Sequence, residues 1–429
     1  MAEGLNRAGE VEIKEATIVS GSGRAESVLP QMIELDLYED IFSTFLTGKV
    51  VIRDCQALAQ FFPFVGHEYL RVTLSTPQVD NEFGKYSGEF FIFSVSDKKM
   101  DGDRSAYYVL SFISKEGIVD MNVRLSKTFR GTSDVILTEL LGEKGLNVNL
   151  ENKAFSLGIS SNVMTFCSNW WNPSKCIEYV ANHSLNNNHQ PDFLFYESKY
   201  GFVFESLDNL INDESSAVTQ SFVFNRYARQ MKDKESAPLD IAKEYQQVAD
   251  LEIHSGYDYI DRLRNGYYGG STISFNPLTQ QYTHTANQVT FDEQNHLNKF
   301  APYPDGTPMT YYGFTRFAPT VYNNFTKTLD NSDMSFGVRR RTILERLNTT
   351  RVNIVVHGRL DYSIGQCVYL MIPSARQSST EEGDVDTLAS GKYLISSIRH
   401  VFSAGRHECT MELVKDSYIT DINQIAIKE

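Results

Sequence analysis

The sequence predicts a mainly β protein with smaller α+β parts, and three observations support that fold class. The 429 residues include 27 Phe and 23 Tyr but only 2 Trp, and flat rings pack well on the pleated surface of a sheet. Apolar and polar residues alternate with period two along many short segments, as in strands that bury one face. Hydrophobic residues make up 41% of the chain, which is enough for packed cores and excludes a wholly disordered protein. The length favours about two to four domains.

Residues 1–118 contain the clearest alternation, and we expect them to form a small barrel or sandwich. Turn-forming residues such as Asp101-Gly102-Asp103 separate the strands. Residues 55–64 are the exception, because they resemble a short helix or lid. The predicted strands are 33–38, 70–74, 91–95 and 107–113.

Residues 119–210 predict a mixed α/β unit. Thr132-Ser133-Asp134 provides an N-cap for an amphipathic helix of about two turns that ends at Gly142. Asn172-Pro173 begins a second helix, with Pro in its first turn. Two alternating aromatic strands, 192–197 and 202–207, follow this helix.

The rest of the chain divides at residue 338. Residues 211–338 begin with a strand at 221–227 and then become polar and aromatic-rich with weak periodicity, and 279–295 are loop-like. Residues 339–429 begin with a helix at 339–351 and continue with strands and a charged loop, 374–390. The predicted strands are 352–357, 366–372, 392–402 and 407–414. Two β-rich ends therefore flank a mixed centre.

Charge and cysteine content exclude several classes of protein. The 40 Lys and Arg against 54 Asp and Glu give a net charge of −14, which disfavours nonspecific clamping of nucleic-acid phosphates. Five thinly spread Cys predict free thiols in a reducing compartment rather than a disulfide framework. We expect no signal peptide and no transmembrane segment, because the N-terminus lacks an apolar core and no apolar run approaches about 18 residues.

The sequence predicts no catalytic, cofactor-binding or metal-ligating residues. Cys167, Cys176, His183 and His189 form a Cys/His cluster in the sequence, but its C-x8-C-x6-H-x5-H spacing lacks the short paired knuckle of a zinc site. No nucleophile elbow or phosphate-binding loop occurs, and Gly21-Ser22-Gly23 lacks the third glycine of a dinucleotide fingerprint.

Two charged segments have ordinary structural interpretations. The acids Glu34, Asp36, Glu39 and Asp40 are expected on the solvated face of a strand rather than in a catalytic pair. Arg339-Arg340-Arg341 is expected on a helix that packs through Ile343, Leu344 and Leu347, with its guanidinium groups facing solvent or acidic neighbours. We therefore expect a protein that is not an enzyme.

Several stretches together resemble the baseplate hub proteins of contractile-tailed (myovirus) bacteriophages, and more distantly the spike-hub proteins of type VI secretion. They occur in the family's order and cover most of the chain. They are MIELDLYEDIFSTFLTGKVVIRD (32–54), KTFRGTSDVILTELL (127–141), CIEYVANHS followed by PDFLFYESKYGFVFESLDNLI (176–211), YDYIDRLRNGYYGGSTISFNPLTQQY (257–282), GQCVYLMIPS (365–374) and GKYLISSIRHVFSAGRHECTMELVKDS (391–417).

The resemblance implies two tail-tube-like β-barrels per subunit with smaller mixed α/β domains. Residues 1–118 would be the first barrel, 119–210 the mixed domain, 211–338 a strand of the second barrel followed by an irregular aromatic-rich insertion, and 339–429 a helix, the remaining strands of the second barrel and a C-terminal tail. It also implies a homotrimer, without cofactors, whose pseudo-sixfold ring joins the sixfold tail tube to the threefold central spike.

The same resemblance implies a set of partners and a location. The partners would be the spike protein, the tail tube protein, the tape measure protein and baseplate wedge proteins, with DNA only a transient passenger through the channel. The location would be the virion tail baseplate, assembled in the cytoplasm of the host bacterium. An acidic lining would keep DNA from adhering to such a channel.

Two alternative functions remain open from the sequence. One is a tail-associated peptidoglycan hydrolase that uses acids from the middle region. The other is a receptor-binding or carbohydrate-binding tail module that uses exposed aromatic residues such as Tyr267-Tyr268 and Tyr311-Tyr312 as stacking platforms.

Overall fold

The protein is mostly β, as the sequence predicts, with one large sheet, several small ones and a few helices. No helix in the part of the chain that is described is long and apolar enough to cross a membrane. The computed structural model describes residues 8–62, 64–77, 84–101, 105–149, 153–212, 221–224, 241–254, 258–276, 280–287, 291, 295–303, 315–319, 321–323, 328–330, 332–374 and 385–422.

The N-terminal part is an antiparallel sheet with short helices beside it. Its inner face buries the alternating apolar residues that the sequence indicates, among them Leu70, Val72 and Leu74. The elements are β1 (Glu12–Val19), β2 (Ala25–Ser27), a 3-10 turn (Leu29–Gln31), β3 (Met32–Asp40), β4 (Thr47–Asp54), α1 (Leu58–Phe61), β5 (Tyr69–Ser75), β6 (Lys85–Asp101), β7 (Ser105–Ser114) and α2 (Lys115–Asn122).

The middle part is a compact α/β block with its own core of Phe, Leu and Ile side chains. Both predicted helices are present, the first beginning after Thr132 and the second after Asn172. The elements are β8 (Thr128–Gly131), α3 (Ser133–Leu141), β9 (Ala154–Leu157), β10 (Met164–Cys167), α4 (Pro173–His183), β11 (Phe193–Ser198), β12 (Gly201–Ser206) and α5 (Leu207–Asn212).

The C-terminal part returns to strands. Its elements are β13 (Ser221–Val223), α6 (Ile241–Gln246), β14 (Val248–His254), α7 (Tyr259–Asn265), β15 (Gly270–Asn276), β16 (Gln281–Asn287), β17 (Thr315–Pro319), β18 (Val321–Asn323), β19 (Thr328–Asp330), α8 (Ser332–Leu347), β20 (Thr350–His357), β21 (Cys367–Met371), β22 (Gly391–Ser403) and β23 (Arg406–Lys415).

The large sheet folds into two closed rings of strands that share the β22–β23 hairpin. In the first ring, β22 pairs with β3, and pairing continues through β4, β7, β6 and β5 to β1. This ring closes where Glu10 bridges Arg406 at the start of β23. In the second ring, pairing runs from β14 through β20, β23, β22 and β21 to β13, and it closes where Val223 bridges Gln247 just before β14.

The core follows this division into two rings and a block. One apolar cluster fills the first ring and another fills the second ring, and the α/β block holds the third. Phe402 belongs to the first cluster, whereas Cys409 and Met411 on the paired strand belong to the second. The pairing puts these residues on one face of the hairpin, so a single buried face runs from the first core into the second.

The structure differs from the sequence prediction in two places of the C-terminal half. Residues expected to be loop-like within 279–295 include strand β16, which pairs with β15 over seven residues. Its sequence, QYTHTAN, contains Tyr and Thr, which are residue types that favour extended backbone, but it lacks the apolar alternation that marks a buried strand. The helix expected at 339–351 begins earlier, at Ser332, and ends at Leu347, because Thr350 already pairs in β20.

Candidate functional site

A group of buried polar side chains lies on the buried face of the β22–β23 hairpin, where the two apolar cores meet. His400 is directly opposite Cys409, and Phe402 is opposite His407. Because side chains two residues apart on a strand share a face, these pairings place His400, His407 and Cys409 together. All three are buried, with at most 2% of their surface exposed.

The three side chains bring one ligand atom each to a small triangle. His400 Nδ1 lies 3.0 Å from His407 Nε2 and 3.2 Å from Cys409 Sγ. Cys409 Sγ lies 3.3 Å from His407 Nε2. Phe402 stacks on the His407 ring with 4.3 Å between centroids, which fixes the orientation of that imidazole. We call His400, His407 and Cys409 the hairpin triad.

A buried ion pair supports the hairpin triad from the side of β3. Glu39 Oε1 lies 2.9 Å from His400 Nε2 and 3.1 Å from Lys199 Nζ, and Glu39 Oε2 accepts the backbone N–H of Lys199 at 3.1 Å. The Lys199 ammonium also donates to the carbonyl of Tyr362. Lys199 lies in the tight turn between β11 and β12, so this pair joins the α/β block to both rings.

The charges in this network follow from burial and pairing. Burial alone would raise the pKa of Glu39, but the Lys199 ammonium and the His400 hydrogen bond outweigh it and lower that pKa to about 2. Burial, together with the Lys199 charge, lowers the pKa of His400. Burial also raises the pKa of the Cys409 thiol and lowers that of His407 well below its usual value. The ionised Glu39 is an acceptor, so neutral His400 carries its proton on Nε2 and directs the Nδ1 lone pair at the other two triad members.

The Cys/His cluster considered in the sequence is not brought together. Within the described ranges, the hairpin triad is the group of potential metal ligands whose ligand atoms all lie within 4.8 Å of one another. Cys176 is buried in α4, whereas Cys167 is exposed and contacts the carbonyl of Ser168. His183 Nδ1 lies 2.8 Å from the carbonyl of Tyr179, and His189 is exposed in a turn.

The acidic residues of β3 do not all lie on a solvated face, so that prediction is wrong for Asp36 and Glu39. Both are buried, with 4% and 1% of their surface exposed. Arg399 on the neighbouring strand compensates Asp36 at 2.8 Å and Glu34 at 3.1 Å, just as Lys199 compensates Glu39. Burial of these acids is tolerated because each has a cation within hydrogen-bond distance.

Of the α8 arginines expected to face solvent or acidic neighbours, Arg341 is exposed, whereas Arg340 bonds to main-chain carbonyls. Arg340 is half-buried and donates through Nη1 to the carbonyl of Phe193 at 2.7 Å. Arg346 is buried and donates through Nε to the carbonyl of Tyr267 at 3.1 Å. These bonds attach α8 to the α/β block and to the turn after α7. Ile343 and Leu347 pack in the second ring's core, as predicted.

The tyrosines proposed as carbohydrate platforms are not exposed where they are described. Tyr267 and Tyr268 are 2% and 3% exposed and pack edge to face on each other. Tyr267 Oη lies 2.8 Å from the hydroxyl of Thr349. Tyr311 and Tyr312 lie outside the described residues.

Comparison with known proteins shows that this chain is similar in fold to solved structures of tail proteins. The chain matches no family model and no curated protein. It is similar to the tail protein from Neisseria meningitidis MC58, with 12% identity and a TM-score of 0.53 over 95% of this chain and 97% of that one. It is also similar to the 43 kDa tail protein of prophage MuSo2 from Shewanella oneidensis, with 9% identity and a TM-score of 0.49 over 94% and 99% of the two chains.

A third similar structure is a type VI secretion system component from E. coli, itself described as similar to tail proteins of bacteriophage T4. It has 8% identity and a TM-score of 0.42 over 95% of this chain and 76% of that one. The Neisseria meningitidis structure confirms, at the level of the fold, the resemblance to tail proteins that the sequence indicates.

Proposed function

We propose that this chain is a structural baseplate hub subunit of a contractile phage tail. The observation that carries the proposal is the likeness to the Neisseria meningitidis tail protein, which extends over nearly the full length of both chains. A likeness of that extent includes both rings and the α/β block, rather than one widespread small barrel. The function of such a subunit is to hold surfaces in fixed positions, which agrees with a site built from ion pairs and packed rings.

The two rings support a specific assembly. Three copies of a chain with two similar barrels can present six barrels around one axis, which matches a sixfold tail tube on one side and a threefold spike on the other. The shared hairpin suits this role, since it fixes the angle between the two rings of one chain. On this proposal the chain is a homotrimer that contacts the tube protein and the spike protein, with the tape measure and wedge proteins as further neighbours.

The net charge is consistent with a channel for DNA. A formal charge of −14 gives the subunit long-range repulsion towards phosphate. DNA then passes through the ring as a transient passenger without adhering to its wall. On this proposal the protein functions in the virion baseplate after assembly in the bacterial cytoplasm, and it performs no chemical reaction.

The experiment that tests the proposal is mass determination in solution by light scattering, with the purified chain alone and mixed with the neighbouring spike protein. The proposal predicts a species three times the 48.7 kDa of one chain, either alone or once the spike is added. A chain that stays monomeric under both conditions would contradict it. Purified cell walls incubated with the protein should release no fragments.

Charge substitutions locate the subunit contact in the same experiment. Phe93 on β6, Ile159 beside α3 and Trp170 before α4 are exposed by 56%, 66% and 68%. These apolar side chains lie on separate elements, and burial of such residues is typical of subunit contacts. Replacing each by Glu should lower the assembled mass for at least one of them, whereas Lys98→Glu on an already polar stretch of β6 is the matched control.

A further inference from the structure

We propose that the hairpin triad, His400, His407 and Cys409, binds a Zn²⁺ ion on the buried face of the β22–β23 hairpin, where the two apolar cores meet. The proposal is independent of the hub function, because it concerns three side chains within one chain. Imidazole nitrogen and thiolate sulfur are the ligand types that Zn²⁺ prefers in proteins. Here two of the former and one of the latter converge in a buried site.

The triangle has nearly the dimensions of a tetrahedral site. With Zn–N of about 2.05 Å and Zn–S of about 2.3 Å, tetrahedral angles separate two nitrogens by about 3.3 Å and nitrogen from sulfur by about 3.6 Å. The three separations here are 3.0, 3.2 and 3.3 Å. Each therefore needs to widen by a few tenths of an ångström, which small rotations about side-chain bonds supply. The triad leaves a fourth coordination position for a water molecule.

The surroundings of the triad resemble the support that metal ligands receive. A histidine that ligates a metal usually donates its other ring N–H to a carboxylate, which fixes the tautomer and aims the free nitrogen at the ion. Glu39 accepts that bond from His400 at 2.9 Å. The backbone N–H of Arg359 donates to Cys409 Sγ, which favours a thiolate. Lys199 neutralises Glu39, so the carboxylate does not leave the site with excess negative charge.

Hydrogen bonds within the triad cannot pair all of its nitrogen and sulfur atoms at once. His400 Nδ1 is a lone pair, and it can accept from His407 Nε2–H or from the Cys409 thiol, but not fully from both. If His407 instead carries its proton on Nδ1, two nitrogen lone pairs face each other at 3.0 Å. His407 Nδ1 has no hydrogen-bond partner in the described part of the chain. A cation would bind all three facing lone pairs at once, with release of the Cys409 proton to solvent.

The backbone at Gly358 packs closely against the His407 ring and fixes its position. A Cβ placed on Gly358 would lie 2.3 Å from His407 Cγ, so only glycine allows the ring its present position. The triad is inaccessible to solvent, so the ion would enter during folding, and its binding energy would then add to the stability of the fold. Zinc at the triad would crosslink the two strands of the hairpin that both rings share.

The test is metal content and cobalt substitution in the full chain. Protein purified from zinc-supplemented medium and dialysed against metal-free buffer should hold one equivalent of zinc by mass spectrometry. Refolding with Co²⁺ should give visible d–d bands and a near-ultraviolet thiolate-to-cobalt charge-transfer band. Protein without zinc and without that charge-transfer band, or protein that takes up copper in place of zinc from medium containing both, would overturn the proposal.

Variants assign the ion to the triad. Cys409→Ser should abolish the charge-transfer band, whereas Cys367→Ser, a buried cysteine in the same core, should retain both band and zinc. Glu39→Gln should weaken zinc affinity about 10- to 100-fold while keeping the band. Circular dichroism establishes that each variant folds. Loss of zinc in Cys367→Ser equal to that in Cys409→Ser would contradict the assignment. The solution mass of the assembly is a separate readout, so failure of the hub proposal would leave this result unaffected.

Discussion

Asp192, just before β11, offers a quantitative test of how burial controls charge in this protein. Its carboxylate is 3% exposed. One oxygen, Oδ2, accepts the backbone N–H of Asp208 at 2.9 Å and the side-chain amide of Asn186 at 3.1 Å. The other, Oδ1, is buried without a partner among the described residues. The nearby Arg340 guanidinium donates to main-chain carbonyls instead. Burial, with the Asp208 charge as a smaller contribution, raises the pKa of Asp192 to about 7.

The sign and size of the effect follow from linkage. Between the ordinary value of 3.8 and the folded value of about 7, the folded state binds more protons than the unfolded chain. Protonation of Asp192 therefore stabilises the fold at low pH, and that stability is lost as the pH rises through 7. From pH 5 to pH 8 the loss amounts to about 2 to 3 kcal/mol of unfolding free energy.

Asp192→Asn isolates this contribution, because a carboxamide has the shape of a protonated carboxyl group and does not titrate. Urea unfolding should show the variant more stable than the original protein by about 1.5 to 2 kcal/mol at pH 5, because Asp192 is already ionised in the unfolded chain at that pH. At pH 8 the difference should grow to about 4 kcal/mol. Asp250→Asn, at an exposed position on β14, is the control and should change stability equally at both pH values. An Asp192→Asn effect that is the same at pH 5 and pH 8 would refute the reasoning.

Three further predictions concern packing and thiols. Lys199→Met should destabilise the fold by about 3 to 5 kcal/mol in urea unfolding at pH 7, because it leaves Glu39 buried and unpaired; the double variant with Glu39→Gln should recover part of that loss, and purely additive losses would contradict the pairing. Gly201→Ala should lower the free energy of unfolding by at least about 2 kcal/mol, because φ is +141° and the added Cβ would lie 1.9 Å from the carbonyl oxygen of Ala154. Gly23→Ala is the control with a smaller expected loss, because Gly23 has φ +85° but nothing within 4 Å of an added Cβ. A thiol reagent should modify two cysteines in the native protein, the exposed Cys55 and Cys167, and all five in denaturant; rapid native labelling of a third would contradict the burial of the others.

The strands and the helices α3 and α4 of the α/β block could be predicted from sequence because their signals are local. The alternation around Leu70 to Leu74 and the start of α3 after Thr132 depend on residues within one strand or one turn. Strand β16 was missed because polar, Thr-containing strands on a small sheet do not alternate in hydrophobicity. The closure of two rings by Glu10 and Gln247 depends on pairings between distant segments, which no local pattern encodes.

The buried site was missed for a similar reason. Glu39 has the appearance of a solvated acid until Lys199, 160 residues away, is placed beside it. The sequence does contain a signal that could have indicated the hairpin triad. Ala404-Gly405 forms the turn between two alternating strands, and pairing across that turn sets His400 opposite Cys409, with His407 two residues from Cys409 on the same face. Sequence spacing alone points to the Cys and His residues between Cys167 and His189, but the fold does not bring their side chains together.

The measurement that tests the hub proposal most directly is electron microscopy of the chain assembled with its spike protein, viewed along the assembly axis. The account predicts a ring of six barrels around an open channel, with three α/β blocks that reduce the symmetry to threefold. A ring with any other number of barrels, or single chains that attach to the spike without closing a ring, would contradict it.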